Sequence, residues 1–299
     1  MSAVEIPALS RPNDRLRRRH IVNRGMELLA WLAAAIGIGI LMVIVYTVAR
    51  RGASALNLDL LTKTPAVEQF SPLRQGLANA FVGSLVIVSL ATAMALPFGI
   101  LVALYVNEFA TRRMKTAVTI VLDVLNGVPA IVIGIFVYGL LVLHRGPSGY
   151  AASFGLAIIM IPLVARSTIE VLALVPNSLR EAALGLGAPR WRTTLGVVLP
   201  RAIGGILTGA TLAVARIAGD TAVVLLCCSI GSNAMAWNPA HFLYTVPLAI
   251  YNDSDSPDPA DHARAWAAAL VLLIFILGAS LGARWLATRS QRKLGRSSA

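Results

Sequence analysis

Six long apolar runs, separated by short polar segments, organise the chain. They extend from Gly25 to Val48, Gly76 to Val106, Ala117 to Leu143, Ala151 to Leu174, Ala202 to Ile230 and Ala263 to Leu286. A helix rises about 1.5 Å per residue, so about 20 apolar residues cross a hydrocarbon layer ~30 Å thick. Every run is long enough. The first is too long for a signal peptide and no small-residue cleavage site clearly follows it, so it reads as an uncleaved helix. Pro97, Pro129 and Pro162 fall inside runs, as do Gly99, Gly127, Gly134, Gly204, Gly205 and Gly209. Such residues are tolerated where neighbouring helices compensate, and the small ones allow close approach. They read first as packing sites and kinks, and second as hinges.

The polar segments set the orientation. Arg11, Arg15, Arg17, Arg18, Arg19 and Arg24 precede the first run, and Arg112, Arg113 and Lys115 follow the second. Arg180, Arg190, Arg192 and Arg201 follow the fourth, and Arg289, Arg292, Lys293 and Arg296 follow the sixth. With six spans all of these fall on one side, which the positive-inside rule makes cytoplasmic. Arg50 and Arg51 oppose the rule locally and are outweighed. The acidic stretch Asn252 to Asp261 falls on the other side and reads as an exposed external turn near a docking partner. The expected fold is an all-α polytopic membrane protein with six transmembrane helices and both termini inside. Residues 1–24 form a basic tail, 25–48 the first span and 49–75 an external loop. Residues 76–287 form a five-helix core with a cytoplasmic loop at 175–200, and 288–299 form a second basic tail.

Composition agrees with lipid as the main solvent. The chain of 299 residues is 57% hydrophobic and only 13% charged, against about 25% charged in soluble domains. A net charge of +12 would suit nucleic acid, but the basic residues sit in short flanks of apolar runs rather than on a continuous basic surface. The adjacent Cys227 and Cys228 fit a disulfide poorly and read as small apolar filler.

The segment Pro176 to Pro200 is too structured for a tether. Ser178 and Glu181 have capping-box spacing, and Leu179, Ala182, Ala183 and Leu186 form an apolar stripe. Gly185 and Gly187 end that turn, and Pro189 can open a second helix carrying Trp191, Leu195 and Val198. Two short helices joined by a glycine turn are expected, with Arg180, Arg190 and Arg192 on the exposed face. From spacing alone, the segment either docks into a partner or lies on the membrane surface.

Glu181-Ala182-Ala183, three residues, Gly187, nine residues, Val197, one residue and Leu199-Pro200 together resemble the EAA loop of ABC-importer permeases. The resemblance implies a type I importer (MetI-like) permease fold. It also implies that Glu181, Ala182, Ala183, Gly187, Leu199 and Pro200 belong to a loop that seats on a cytoplasmic ATPase. Val128–Gly139, Ile161–Glu170, Val175–Trp191 and Leu212–Leu226 are similar, more narrowly, to phosphate-specific permease subunits. Members commonly have Glu where this chain has Asp220. This resemblance implies a bacterial plasma-membrane complex with a second homologous permease subunit, two ATPase subunits and an external phosphate-binding protein. ATP would be bound by the partner subunits, with no cofactor in this chain.

Arg216 and Asp220 lie four apart in an apolar run, so a continuous helix would place them on one face. Arg166 lies in the inner half of the fourth run, and Asp123 is its possible structural partner. Intramembrane ions are costly and rarely face lipid. They either lock helices together or line a route for an oxyanion, where Asp220 would keep Arg216 from binding too tightly. The resemblance favours the route for Arg216 and Arg166.

Catalytic motifs are missing from the sequence. No G-x-x-x-x-G-K-[S/T] loop is present, so ATP is expected to be hydrolysed elsewhere. His20, His144, His241 and His262 are scattered without metal-ligand spacing, and the acidic turn lacks the closing Glu of a calcium loop. A permease for sulfate or molybdate is the near alternative. An ion-coupled secondary transporter is the alternative of another class, and it would not need the loop.

Overall fold

Backbone hydrogen bonds that cannot be made to lipid must be made within the chain. Accordingly, every regular element among the described residues is a helix. The computed structural model describes residues 14–65, 76–228 and 235–296. Arg11 and the last two residues expected in the fifth span, Ser229 and Ile230, lie outside them.

The first helix, α1 (Asp14–Ala53), runs past both bracketing arginines. It carries a candidate membrane span with a mean hydropathy of 2.7. A short α2 (Leu58–Thr62) follows, capped by the Asn57 side chain, which accepts from Leu60 N at 2.8 Å.

The remaining helices assemble around α7 (Gly149–Ala173), the most buried candidate span. α3 (Ala78–Leu104) packs along one side. A Cβ on Gly99 of α3 would lie 2.8 Å from Val164 Cβ, so the absence of a side chain there sets the approach. Ser153 Oγ of α7 donates to Ile87 O of α3 at 3.2 Å as well as to Gly149 O of its own helix. α10 (Leu199–Ala218) packs on another side of α7, where Gly205 abuts Val171 and Gly209 abuts Ser167. Pro97 and Pro162 both lie inside unbroken helices.

Two of the expected spans are not single rods. The third divides into α4 (Arg112–Gly127) and α5 (Ala130–Val137), which meet at 93°. Pro129 is the cause: a residue before proline is held extended, and Val128 (φ −68°, ψ 127°) and Pro129 (φ −59°, ψ 137°) turn the chain. α5 continues through a π-turn, Tyr138–Val142, into a last turn α6 (Leu143–Arg145). Among the described residues, five continuous helices and this bent pair, taken as one span, therefore give six candidate spans by length and hydropathy. The fifth span breaks after α10 at Gly219–Thr221 and resumes as α11 (Ala222–Cys228). Gly134 of α5 abuts Leu226 of α11, so both broken spans lock against each other.

Cys228 has a use beyond filling space. Its Sγ accepts from Leu243 N at 3.0 Å and donates to Leu243 O at 3.2 Å, pinning the segment that leads to α12 (Val246–Asp255). Ser84 Oγ accepts from Val246 N at 2.9 Å and ties α12 to α3. α12 then packs on α13 (Pro259–Arg296).

The acidic stretch is more than an exposed turn. Asp253 is buried, and its carboxylate takes two bonds from Arg264, at 2.8 and 2.7 Å. Arg264 also reaches Asp261 at 3.0 Å. Arg264 thus gathers the Asp253 and Asp261 carboxylates into a structural anchor of the α12–α13 corner.

Candidate coupling loop and membrane-embedded charges

α7 ends at Ala173, and α8 (Asn177–Gly185) begins after Leu174, Val175 and Pro176. Pro176 is the N-cap and makes no side-chain cap bond, so the Ser178–Glu181 capping box does not form. Glu181 and Ala182 are exposed and Ala183 is half-buried. The C-terminus of α8 closes as a Schellman motif. Ala188 N donates to Ala183 O at 3.1 Å and Gly187 N donates to Leu184 O at 2.9 Å. Gly187 has φ +81°, a conformation in which a side chain is strained. This geometry supplies a reason for glycine at that position of the motif.

The second half of the loop is not a separate helix. α9 (Arg190–Thr193), a π-turn at Thr194–Val198 and α10 form one continuous helical run of 29 residues, Arg190 to Ala218. Pro200 has no N–H to give to the carbonyl four residues back, and its ring crowds that carbonyl. The π-turn immediately before it changes the hydrogen-bond step where the proline would otherwise break the helix. Leu199 is half-buried and Pro200 exposed at this junction. Leu186 is 90% exposed, and Leu184, Trp191 and Leu195 are exposed beside it. Arg192 lies over the Trp191 ring at 5.2 Å.

Arg180 does not lie on that exposed face. It turns inward and uses its whole guanidinium. Nη2 meets Glu108 Oε1 at 3.0 Å and Leu172 O at 3.0 Å. Nη1 donates to Val175 O at 2.6 Å and Asn177 Oδ1 at 3.1 Å, and Nε donates to Glu108 at 3.3 Å. Glu108 lies in a π-turn, Tyr105–Phe109, that extends α3. One side chain thus joins α8 to the carbonyl end of α7 and to the end of α3. Neither residue of this pair was foreseen as a site. The available signal is that Glu108 is the lone acid beside Arg112, Arg113 and Lys115.

Of the intramembrane charges, Arg166 finds the expected partner. Its Nη2 lies 2.9 Å from Asp123 Oδ1, joining α7 to α4, with side chains 35% and 49% exposed. Arg216 and Asp220 are not brought together as one helix face, because α10 ends at Ala218. Asp220 instead caps α11: Val223 N donates to its Oδ1 at 3.2 Å. Arg216 is exposed, and among the described residues it makes no ion pair. The contacts of Gly205 with Val171 and Gly209 with Ser167 place Arg216 level with Met160. Arg216 therefore lies six residues from the level of Arg166, about 9 Å along the helix axes.

This arrangement is that of a multi-pass, all-helical membrane protein with a structured loop between its fourth and fifth spans. Residues 95–292 match the family of binding-protein-dependent transport system inner membrane components. The fold resembles the bacterial alginate ABC transporter solved with its pentasaccharide-bound periplasmic protein (TM-score 0.62, 16% identity, 92% of this chain and 96% of that one). It also resembles the inward-facing MetNI methionine ABC transporter (TM-score 0.56, 18% identity, 72% and 94%). In sequence the chain is 39% identical to the phosphate transport system permease protein PstA of Xylella fastidiosa Temecula1, over 92% of this chain and 96% of that protein. It is 38% identical to PstA of Pasteurella multocida (91% and 96%) and to PstA 1 of Mycobacterium tuberculosis H37Rv (75% and 74%). The chain belongs to the binding-protein-dependent transport permease family, in its PstA branch.

Proposed function

We propose that this chain is one permease subunit of an ATP-driven importer of inorganic phosphate. It forms half of the pathway beside a second homologous permease, with two ATPase subunits at its coupling loop and a phosphate-binding protein outside. Both basic tails and the loop at 175–200 face the cytoplasm of a bacterial cell, in keeping with the positive-inside rule. ATP is bound and hydrolysed in the separate subunits. The phosphate specificity rests on the similarity to proteins named PstA across more than nine-tenths of the chain.

The observation that carries the mechanism is the unbroken helical run from Arg190 to Ala218. It makes the ATPase-facing residue Trp191 and the membrane-embedded Arg216 parts of one rod. Displacement of the loop by closing ATPases therefore moves Arg216 directly. Exposure of Arg216 in this single chain cannot mean exposure to lipid without a large cost, so it faces a polar seam between subunits. Arg166 surfaces nearer the loop and serves as a second cationic stop. Glu181, Ala182 and Ala183 present the ATPase contact, and Gly187 sets its turn.

The test is uptake of labelled phosphate by the complete transporter in vesicles, with ATP inside and sulfate as competitor. ATP-dependent uptake that sulfate does not reduce is expected. Preference for sulfate or molybdate would overturn the substrate, and uptake by this chain without an ATPase would overturn the class. Arg216→Gln should abolish uptake while the ATPase still co-purifies, and normal uptake would remove Arg216 from the path.

A further inference from the structure

The two arginines differ in one respect that bears on how an anion leaves. Arg216 carries no carboxylate partner among the described residues, whereas Arg166 is held by Asp123 at 2.9 Å. Arg166 stands seven residues from the loop end of α7, about 10 Å. Asp123 comes from α4, the arm that bends 93° from α5 at Pro129. α4 rests on α7 through a narrow face that includes Val118 and Leu122, and most of its other side chains are exposed. The pair is half-exposed on the loop side of α7, so a solute or a neighbouring subunit can reach it.

We propose that Asp123 is the resident counter-ion of Arg166, that an incoming oxyanion displaces it, and that its return expels the anion toward the cytoplasm. The idea rests on the reading of Arg166 as part of the path. A guanidinium offers two parallel donors to either a carboxylate or a phosphate, so the two compete for one fork. A carrier must bind weakly enough to release, and a tethered carboxylate supplies that limit without a change in the arginine. It has a second effect. Phosphate already in the cytoplasm meets Arg166 neutralised, so back-binding at the exit is suppressed. Asp123 is a positioning and release residue; it does not contact the anion.

The test uses the complete transporter in vesicles containing ATP, either empty of phosphate or preloaded with it, with chloride-matched controls. For the parent protein, preloading should change the uptake rate little. Asp123→Asn should make uptake sensitive to preloading by up to about fivefold, the worth of one half-exposed ion pair. Asp123→Glu, which keeps the charge, should behave like the parent. Equal insensitivity in Asp123→Asn overturns the proposal, as does equal damage by both substitutions, which would mark Asp123 as a packing residue. Arg166→Gln separates the two ideas. Full uptake by that variant removes Arg166 from the path itself. Loss of uptake there, with Asp123→Asn indifferent to preloading, removes only the counter-ion role.

Discussion

Arg180 and Glu108 are 72 positions apart in sequence and meet at 3.0 Å, largely buried, beneath the exposed surface of the loop at 175–200. No residue of the loop helix α8 is fully buried, so this bond is its chief polar attachment to the membrane helices. The guanidinium also takes up the Val175 carbonyl and shares the Leu172 carbonyl, which accepts from Val175 N at 3.3 Å as well. Motion of α8 is therefore passed to α3 and α7 through this bond and through Leu179, which packs on the apolar cluster at their ends. Removing one member of a buried pair leaves the other uncompensated, at a cost of about 3–5 kcal/mol. Glu108→Gln should retain the ATPase on purification yet lose most phosphate uptake, with ATP hydrolysis no longer raised by the loaded binding protein. Uptake and stimulated hydrolysis at parental levels would show that α8 moves the helices by another route.

Gly187 offers a prediction on the same loop with a different cause. Its φ of +81° closes the Schellman turn, and no neighbour lies within 4 Å of the Cβ position. Any effect of Gly187→Ala is thus backbone strain rather than collision, about 1 kcal/mol. Gly187→Ala should weaken ATPase recovery modestly, while Gly187→Glu, which adds bulk and charge at the docking surface, should abolish it. Gly187→Asn, tolerant of this conformation, should fall closest to the parent in the same pull-down.

How much of this was legible beforehand depends on the range of the signal. The spans, the loop and Gly187 are written in local periodicity and spacing. Even the Arg166–Asp123 pair could be suspected, because two charges in apolar runs need partners. The bend at Pro129 and the break at Gly219–Thr221 were hidden because hydropathy averaged over a window treats Val-Pro and Gly-Asp-Thr as minor dips. The proline rule marks the first when read by itself. The inward turn of Arg180 was not legible. Its partner is distant in sequence, and a basic residue in a basic loop looks solvated until the fold brings Glu108 beneath it.

The α3–α7 contact can be tested by volume. A Cβ on Gly99 would lie 2.8 Å from both Val164 Cβ and Val164 Cγ1, and 3.2 Å from Ile161 O. These atoms belong to a β-branched side chain and a helix backbone, neither of which can swing aside. Gly99→Ala should destabilise the protein by about 1–3 kcal/mol through overpacking. A lowered melting temperature in detergent checks this, and Gly139→Ala, with open space around it, serves as the control. Equal melting of the two variants would show that the helices separate at little cost.

Asp220 permits charge and capping to be separated. Its Oδ1 accepts from Val223 N at the start of α11, the bond typical of an N-cap aspartate. Asparagine caps about as well as aspartate and carries no charge, whereas alanine provides neither function. If capping is the whole role, Asp220→Asn should keep parental stability and uptake. Asp220→Ala should then lose about 1 kcal/mol, seen as a lower melting temperature. Asp220→Glu keeps the charge but is a poorer cap, because its longer side chain does not fold back readily onto Val223 N. It should therefore resemble alanine in stability. If the carboxylate instead tempers Arg216 across the break, asparagine should slow uptake at unchanged melting temperature, and glutamate should restore it. Measuring uptake and melting on these three variants assigns the residue to one role or the other.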